Sequence, residues 1–374
     1  MKKTHVKDKT ITYSQVGDNY ATKDPVLRYA LSQAKKTGNN LKSCGFEELE
    51  GFRGESAFVW DQGKYFMASV TECLGTKNLI ADEMRKHTGK TYYDVIAQDT
   101  VATFINDLVT VGAKPLVVNA YWAIGDNKFI CDKRKMTDFI NGWTNACNLA
   151  GAVWGGGETS TLKGIIFPDT ADLAGSAVGI ISPKERLISE RKLKGGDRIL
   201  FLKSNGINAN GVSLARSLAG KLTGGYKSRL DNGLSFGEAL LSPTNIYANL
   251  VQDLLNHNID IHYIVNITGH GLRKLMRARQ KFTYIVEKIF KPTGVFSFIK
   301  NNLHLSDHEM YQTFNMGMDY ALFMPAGDTE KAQNIIKSNK FESIVAGYIK
   351  KGTREVVIKP KNIIYKSESY SIKN

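Results

Sequence analysis

The sequence predicts an α/β (α+β) protein of two mixed-sheet domains, with helices packed on one face of the sheets. Three observations carry this. Strand and helix patterns interleave along the whole chain, which sets it apart from bundles and sandwiches. The 374 residues exceed one ordinary core, at roughly 150 residues per domain. The periodicity breaks between residues 182 and 196, where Pro183, a charged stretch and Gly195-Gly196 interrupt it, and this divides the chain into 1–188 and 189–374.

Residues 56–60 and 65–70 read as a hairpin across Asp61-Gln62-Gly63-Lys64, a run of turn-forming residues. From 94 to 111, Val101, Phe104, Ile105, Leu108 and Val109 recur at helical spacing, so one helix face is buried. A strand at 115–124, a helix at 136–149, a strand at 152–154 entering Gly155-Gly156-Gly157, and a strand at 171–181 follow. In the second half, strands are predicted at 198–203, 282–287, 320–324, 344–349 and 355–358, and helices at 210–218 and 243–255. The last dozen residues show no packing period and read as a loose tail.

With 42% hydrophobic and 23% charged residues, the chain has a folded composition and not a disordered one. No apolar run approaches the roughly 18 residues of a membrane span, and the polar N-terminus lacks a signal-like apolar segment, so a cytoplasmic protein with no membrane partner is expected. Cys44, Cys73, Cys131 and Cys147 are dispersed without a CxxC pair, which points to reduced thiols and not to zinc or disulfides. The net charge of +14 is spread over short runs such as Lys133-Arg134-Lys135, without a basic block interleaved with aromatics. Nucleic acid is therefore not the expected partner.

Four glycine-bearing segments carry candidate chemistry. Thr71 to Lys77 follows a strand, and a small-residue loop with a lysine can cradle phosphate; an ordinary turn fits those residues too. Asp107 lies between Phe104/Ile105 and Leu108, at a buried margin where a carboxylate pairs or coordinates, and Asp99 and Asn106 share its helix. Mg²⁺, needing one or two carboxylates plus water and phosphate oxygens, suits that position, as does a salt bridge. Gly156-Gly157-Glu158-Thr159 and the preceding Gly155 allow close backbone approach to a ligand or a neighbouring chain, or make a tight turn. Ser204-Asn205-Gly206-Ile207-Asn208-Ala209-Asn210-Gly211 and Thr268-Gly269-His270-Gly271 each precede a predicted helix, where backbone N–H groups favour anions. The remaining histidines show no metal spacing, and no GxSxG nucleophile motif is present.

The order of these segments resembles the aminoimidazole ribonucleotide synthetase (phosphoribosylformylglycinamidine cyclo-ligase) family over nearly the whole chain. Thr71 to Lys77 is similar to TDGVGTK, Asn106-Asp107-Leu108 with Gly112-Ala113-Lys114-Pro115 to NDL and GAEP, and Gly156 to Thr159 to GGET. Ser204 to Gly211 is similar to SSGxHSNG, Leu241 to Tyr247 to LAPTRIY, Thr268 to Gly271 to TGGG, and Met310 to Gly317 to MYRTFNMG. The departures are Glu72 for aspartate, Cys73-Leu74 for Gly-Val, Asn208 for histidine and His270 for glycine.

The resemblance implies a homodimer whose first-domain sheets form an intersubunit barrel, a small phosphorylated substrate, and ATP with Mg²⁺. It implies that ATP phosphorylates the formyl amide oxygen of formylglycinamidine ribonucleotide and that ring closure expels phosphate. By the same resemblance Asp107, Glu158 and Lys77 are catalytic, and Glu72, Asp107 and Glu158 hold the metal. Glu72, Gly75, Thr76, Lys77, Asp99, Asn106, Gly156, Gly157 and Thr159 would bind the cofactor. Ser204, Asn205, Gly206, Asn208, Asn210, Gly211, Thr268, Gly269, His270 and Gly271 would bind substrate. The departures leave two alternatives open: a non-catalytic nucleotide-binding paralogue, or a sibling ATP-dependent enzyme acting on another small substrate.

Overall fold

Residues 20–370 are described by a computed structural model. The first sheet comprises β1 (Glu47–Glu48), β2 (Phe58–Asp61), β3 (Phe66–Cys73), β4 (Lys114–Ile124), β5 (Val153–Thr161) and β6 (Ala171–Ile181), in the order β1-β2-β3-β6-β4-β5. Neighbours are antiparallel except β4 and β5. Three helices of this half matter for the site: α1 (Asn78–Thr88), α2 (Tyr93–Val109) and α3 (Lys133–Ala150).

Helix α2 is the axis of the molecule. Val101, Phe104, Ile105 and Leu108 are fully buried, as the periodicity predicts, but Asp99, Thr100, Asn106 and Asp107 on its other side are buried too. A helix buried all round must be covered on both sides. Here the sheet and α3 cover one side, where Trp143 packs edge-on against Trp122 at 5.3 Å, and the second half of the chain covers the other.

That second half begins with β7 (Arg198–Lys203), followed by α4 (Val212–Lys221), α5 (Ala248–Asn256), β8 (Tyr263–Asn266), a 3₁₀ turn (Gly271–Arg277), β9 (Phe282–Val286) and α6 (Asp307–Thr313). The strands β10 (Met318–Met324), β11 (Ser343–Lys351), β12 (Glu355–Ile358) and β13 (Ile363–Lys366) complete a sheet ordered β13-β12-β9-β11-β7-β10-β8. Every residue of β8, β9 and β10 is buried, so both faces of this sheet are covered at those strands.

Three expectations are corrected. The helix predicted at 243–255 starts only at Ala248, because the backbone groups just before it are taken by side chains of α2. Thr244 N–H donates to Asp99 Oδ1 at 2.6 Å and Tyr247 N–H to Asn106 Oδ1 at 3.0 Å, while Asn245 C=O accepts from Asn106 Nδ2 at 2.7 Å. Committed to these partners, the segment is held out of a helical ladder. The expected loose tail is a paired strand, β13 on β12, followed by a buried Tyr370; residues 371–374 lie outside the described range. The triple glycine lies within β5 and is not a turn. A Cβ at Gly157 would sit 2.0 Å from Ala120 O, and the register shifts between Val118 and Asn119, so the glycine serves strand-to-strand approach.

Candidate active site

Where β3 ends against the second half of the chain, residues distant in sequence converge. Glu72 stands at the end of β3, and Asp107 in the last turns of α2 receives Asn266 Nδ2–H at 2.8 Å from β8. From the 3₁₀ turn, Lys274 and Arg277 bring buried cations to the same place. Glu72 is exposed at the mouth of this convergence, yet partial desolvation by the surrounding groups, with the Asp107 charge next in weight, pushes its carboxyl up to about 7, against the opposing influence of Lys274 and Arg277. A carboxyl held up by a neighbouring carboxylate marks a place that a cation would stabilise. Arg277 is not free to answer alone: it pairs with Glu55 at 3.1 Å and donates to Gly54 O at 2.8 Å. These contacts hold the 51–55 loop against the second half.

The glycine loops frame this point. Thr268 accepts a hydrogen bond from Lys274 Nζ, and His270 follows in left-handed backbone (φ 69°). Burial, and then Arg273, Lys274 and Arg277, drive the His270 imidazole down to about 3, so it stays neutral at physiological pH. Asn208, also left-handed at φ 57°, donates Nδ2–H to Asp319 Oδ1 at 2.7 Å. Asp319 also accepts from Asn315 Nδ2 at 3.2 Å and from Tyr247 OH at 2.9 Å. Its burial still pushes the carboxyl up to about 6. Asn315 in turn donates to Ser204 Oγ and Gly206 O, which sets the shape of the 204–211 loop.

The sequence-predicted residues divide into three groups. Glu72, Asp107, Thr268 and His270 surround one point through the contacts and charge interactions above. Thr76 Oγ1 is buried in the β3–α1 loop and has no hydrogen-bond partner among the described residues, consistent with a loop that receives a ligand. Lys77, Asp99 and Asn106 are instead spent on joining the two halves. Lys77, expected to contact phosphate, is fully buried in an ion pair with Asp99 and donates to Ser242 O at 3.1 Å. Asp99, expected to support a metal, neutralises that lysine.

Glu158, Thr159, Gly156 and Gly157 form the third group, on the exposed outer strand β5. Register links Glu72 to Gly175, Gly175 to Ala120 and Ala120 to Gly157. Glu158 thus lies three strands from Glu72, roughly 14 Å at the usual strand spacing. The three-carboxylate metal set is therefore not assembled within one chain, and no group of three or more metal-ligating side chains occurs among the described residues. Glu72 with Asp107 remains, and two carboxylates meet the protein share of a Mg²⁺ shell completed by water and phosphate.

Sequence reasoning does not single out Asn266, Lys274, Arg277, Glu55 or Asp319. The available signal was Arg273, Lys274 and Arg277 directly after the Thr268 to Gly271 loop, a cation run beside a candidate phosphate cradle.

Fold and site together define a class of two-domain α/β proteins whose halves meet over a buried helix. The structure is similar in fold to the HypE–HypF complex, with TM-score 0.60 at 18% identity over 83% of this chain and 92% of that one. It is likewise similar to AaThiL complexed with AMPPCP and TMP, with TM-score 0.57 at 14% identity over 85% and 91%. The chain belongs to the AIR synthase related protein family, matching its N-terminal domain over residues 54–181 and its C-terminal domain over residues 194–359. It is 35% identical over 357 residues to the phosphoribosylformylglycinamidine cyclo-ligase of Caldicellulosiruptor saccharolyticus, covering 93% of this chain and 99% of that protein. The enzyme of that name from Carboxydothermus hydrogenoformans is 32% identical, over 93% of this chain and 98% of its own length. That from Pyrococcus furiosus is 31% identical, over 91% and 95%.

Proposed function

We propose that this protein is an ATP-dependent phosphoribosylformylglycinamidine cyclo-ligase, which closes the imidazole ring of aminoimidazole ribonucleotide in purine biosynthesis. The observation that carries the reading is the Glu72–Asp107 pair facing Lys274 and Arg277, in a chain similar to such enzymes over nearly its full length. The formyl amide oxygen of the substrate attacks the γ-phosphoryl group of ATP, releasing ADP. The amidine nitrogen then attacks the same carbon, and phosphate leaves with the oxygen.

An amide oxygen is a poor leaving group until phosphorylated, so the work of the chain is to align the reactants and to balance charge. Glu72 and Asp107 would hold Mg²⁺, which neutralises charge on the transferring phosphoryl group when bound. The 204–211 and 268–271 loops would hold the phosphorylated substrate. AaThiL, complexed with AMPPCP, supports the same kind of nucleotide for this fold.

A homodimer fits the first sheet. Its face away from α2 and α3 exposes Leu116 and Tyr121 and half-exposes Val178 and Ile180, an apolar surface suited to a second copy. Among the described residues no helix is long and apolar enough to cross a membrane, and a cytoplasmic location suits a nucleotide-biosynthetic enzyme. The deciding assay is phosphate release and aminoimidazole ribonucleotide formation by purified protein with ATP, Mg²⁺ and formylglycinamidine ribonucleotide. ATP turnover that ignores the substrate, or its complete absence, refutes the reading.

A further inference from the structure

The lysine marked by the phosphate-loop motif is not available to a ligand. Lys77 is fully buried, paired with Asp99 and bonded to Ser242 O. Releasing it toward a phosphate would leave the Asp99 carboxylate buried without its cation. A reaction that moves a phosphoryl group nevertheless needs fixed positive charge near the transferred oxygens. Another side chain must supply it.

Lys274 has the required properties. Its ammonium is buried, and a single hydrogen bond among the described residues engages it, to the Thr268 hydroxyl. Besides burial, the charges acting on it are Asp107, Glu72 and Glu55, which favour the ammonium, and Arg277, which opposes it. None of those carboxylates lies within ion-pair distance of Nζ among the described residues, whereas Arg277 has Glu55 at 3.1 Å. Buried ammonium donors facing no acceptor are costly, and an anionic oxygen is the group that satisfies them.

The position of Lys274 is also rigid. A Cβ on Gly271 would sit 2.3 Å from Tyr311 O and 2.8 Å from Phe314 O, so the turn bearing Lys274 is seated directly on the backbone at and just beyond α6. Because Thr268 Oγ1 accepts from Lys274, the Thr268 hydroxyl proton remains available to a further acceptor. Burial lowers the Lys274 ammonium only to about 8, so it remains largely charged at neutral pH.

We propose that Lys274, together with the Thr268 hydroxyl that it orients, is the phosphate-contacting pair of this chain, taking the part that the loop motif assigns to Lys77. This rests on the cyclo-ligase reading for the presence of two phosphorylated ligands. The anion recognised is a phosphoryl oxygen, and it belongs either to ATP or to the ribose phosphate of the substrate.

The test is calorimetric binding of ADP, ribose 5-phosphate and adenosine to the full-length protein and to Lys274→Met, Lys274→Arg and Lys77→Met. Loss of one charge-assisted hydrogen bond corresponds to about 10- to 100-fold in affinity. Lys274→Met should lose that much for one phosphorylated probe while adenosine binding is unchanged, and Lys274→Arg should recover part of it. Loss confined to ADP assigns the contact to the nucleotide, and loss confined to ribose 5-phosphate assigns it to the substrate.

The proposal is overturned if Lys274→Met binds both phosphorylated probes as wild type does. It is equally overturned if Lys77→Met, with an unchanged melting temperature, is the variant that loses them. Should Lys274→Met fail to fold, Lys274→Gln takes its place, and loss or retention of probe binding decides in the same way. Failure of the cyclo-ligase reading would appear separately, as wild-type protein that binds these probes but forms no aminoimidazole ribonucleotide.

Discussion

Replacing Lys77 by Met tests whether the motif lysine works on ligand or on architecture. The ammonium and the Asp99 carboxylate form an ion pair in which both side chains are fully buried. Asp99 Oδ1 also receives Thr244 N–H at 2.6 Å, which ties the pair to the segment that crosses from the second half. Removing one partner of such a pair strands the other charge, at a cost of about 3–5 kcal/mol. Spread over an unfolding transition of this size, that is a fall in melting temperature of about 4–6 °C. Lys77→Met with Asp99→Asn should recover a large part of the loss, because the amide oxygen can still accept from Thr244 while the stranded charge is gone. The expected coupling is about 2 kcal/mol or more in a double-mutant cycle read by urea unfolding. Additive losses, or a Lys77→Met protein as stable as wild type but defective in ATP turnover, would refute the architectural role and restore Lys77 to the phosphates.

Three further outcomes follow from the same geometry. Asp107→Asn should keep the fold, since an amide oxygen can still accept from Asn266, yet cut Mg²⁺-dependent turnover by ~10²-fold or more; undiminished turnover at low Mg²⁺ removes Asp107 from the site. Asp319 carries a carboxyl raised from 3.8 to about 6 by burial. The folded state therefore binds its proton more tightly, and stability from this group is full below pH 4 and is lost as pH rises from about 4 through 6, by roughly 3 kcal/mol. Urea midpoints across that window should fall more steeply for wild type than for Asp319→Asn, and equal slopes would exclude Asp319 as the source. Sedimentation should give about twice the 41.5 kDa chain mass, and a folded monomer at micromolar concentration would count against the dimer through the open sheet face.

Several features were legible locally. The period-2 runs at β6 and β12 and the 3.6-residue period of α2 follow from side-chain direction along a strand or helix, and these elements lie where the pattern puts them. The collinear loop motifs led to the family, because backbone approach to an anion demands small residues at set places in the chain. The role of the triple glycine was not legible: entropy cost marks it as special, but only the collision distance at Ala120 O shows that Gly157 serves the sheet.

What the sequence by itself determined is the succession of elements, the two-part division and the class of chemistry. What the tertiary structure alone decided is which polar side chains are spent and which are offered. Lys77 meets Ser242 across 165 residues of chain and Asp99 meets Thr244 across 145, so no local pattern distinguishes a docking lysine from a phosphate-binding one. The same holds for Lys274, whose neighbours Glu72 and Asp107 come from the other half of the chain, and for Glu158, which the resemblance groups with Glu72 and Asp107 but which stands three strands from Glu72. Ion pairing and desolvation depend on separation in space, and folding sets that separation independently of separation along the chain.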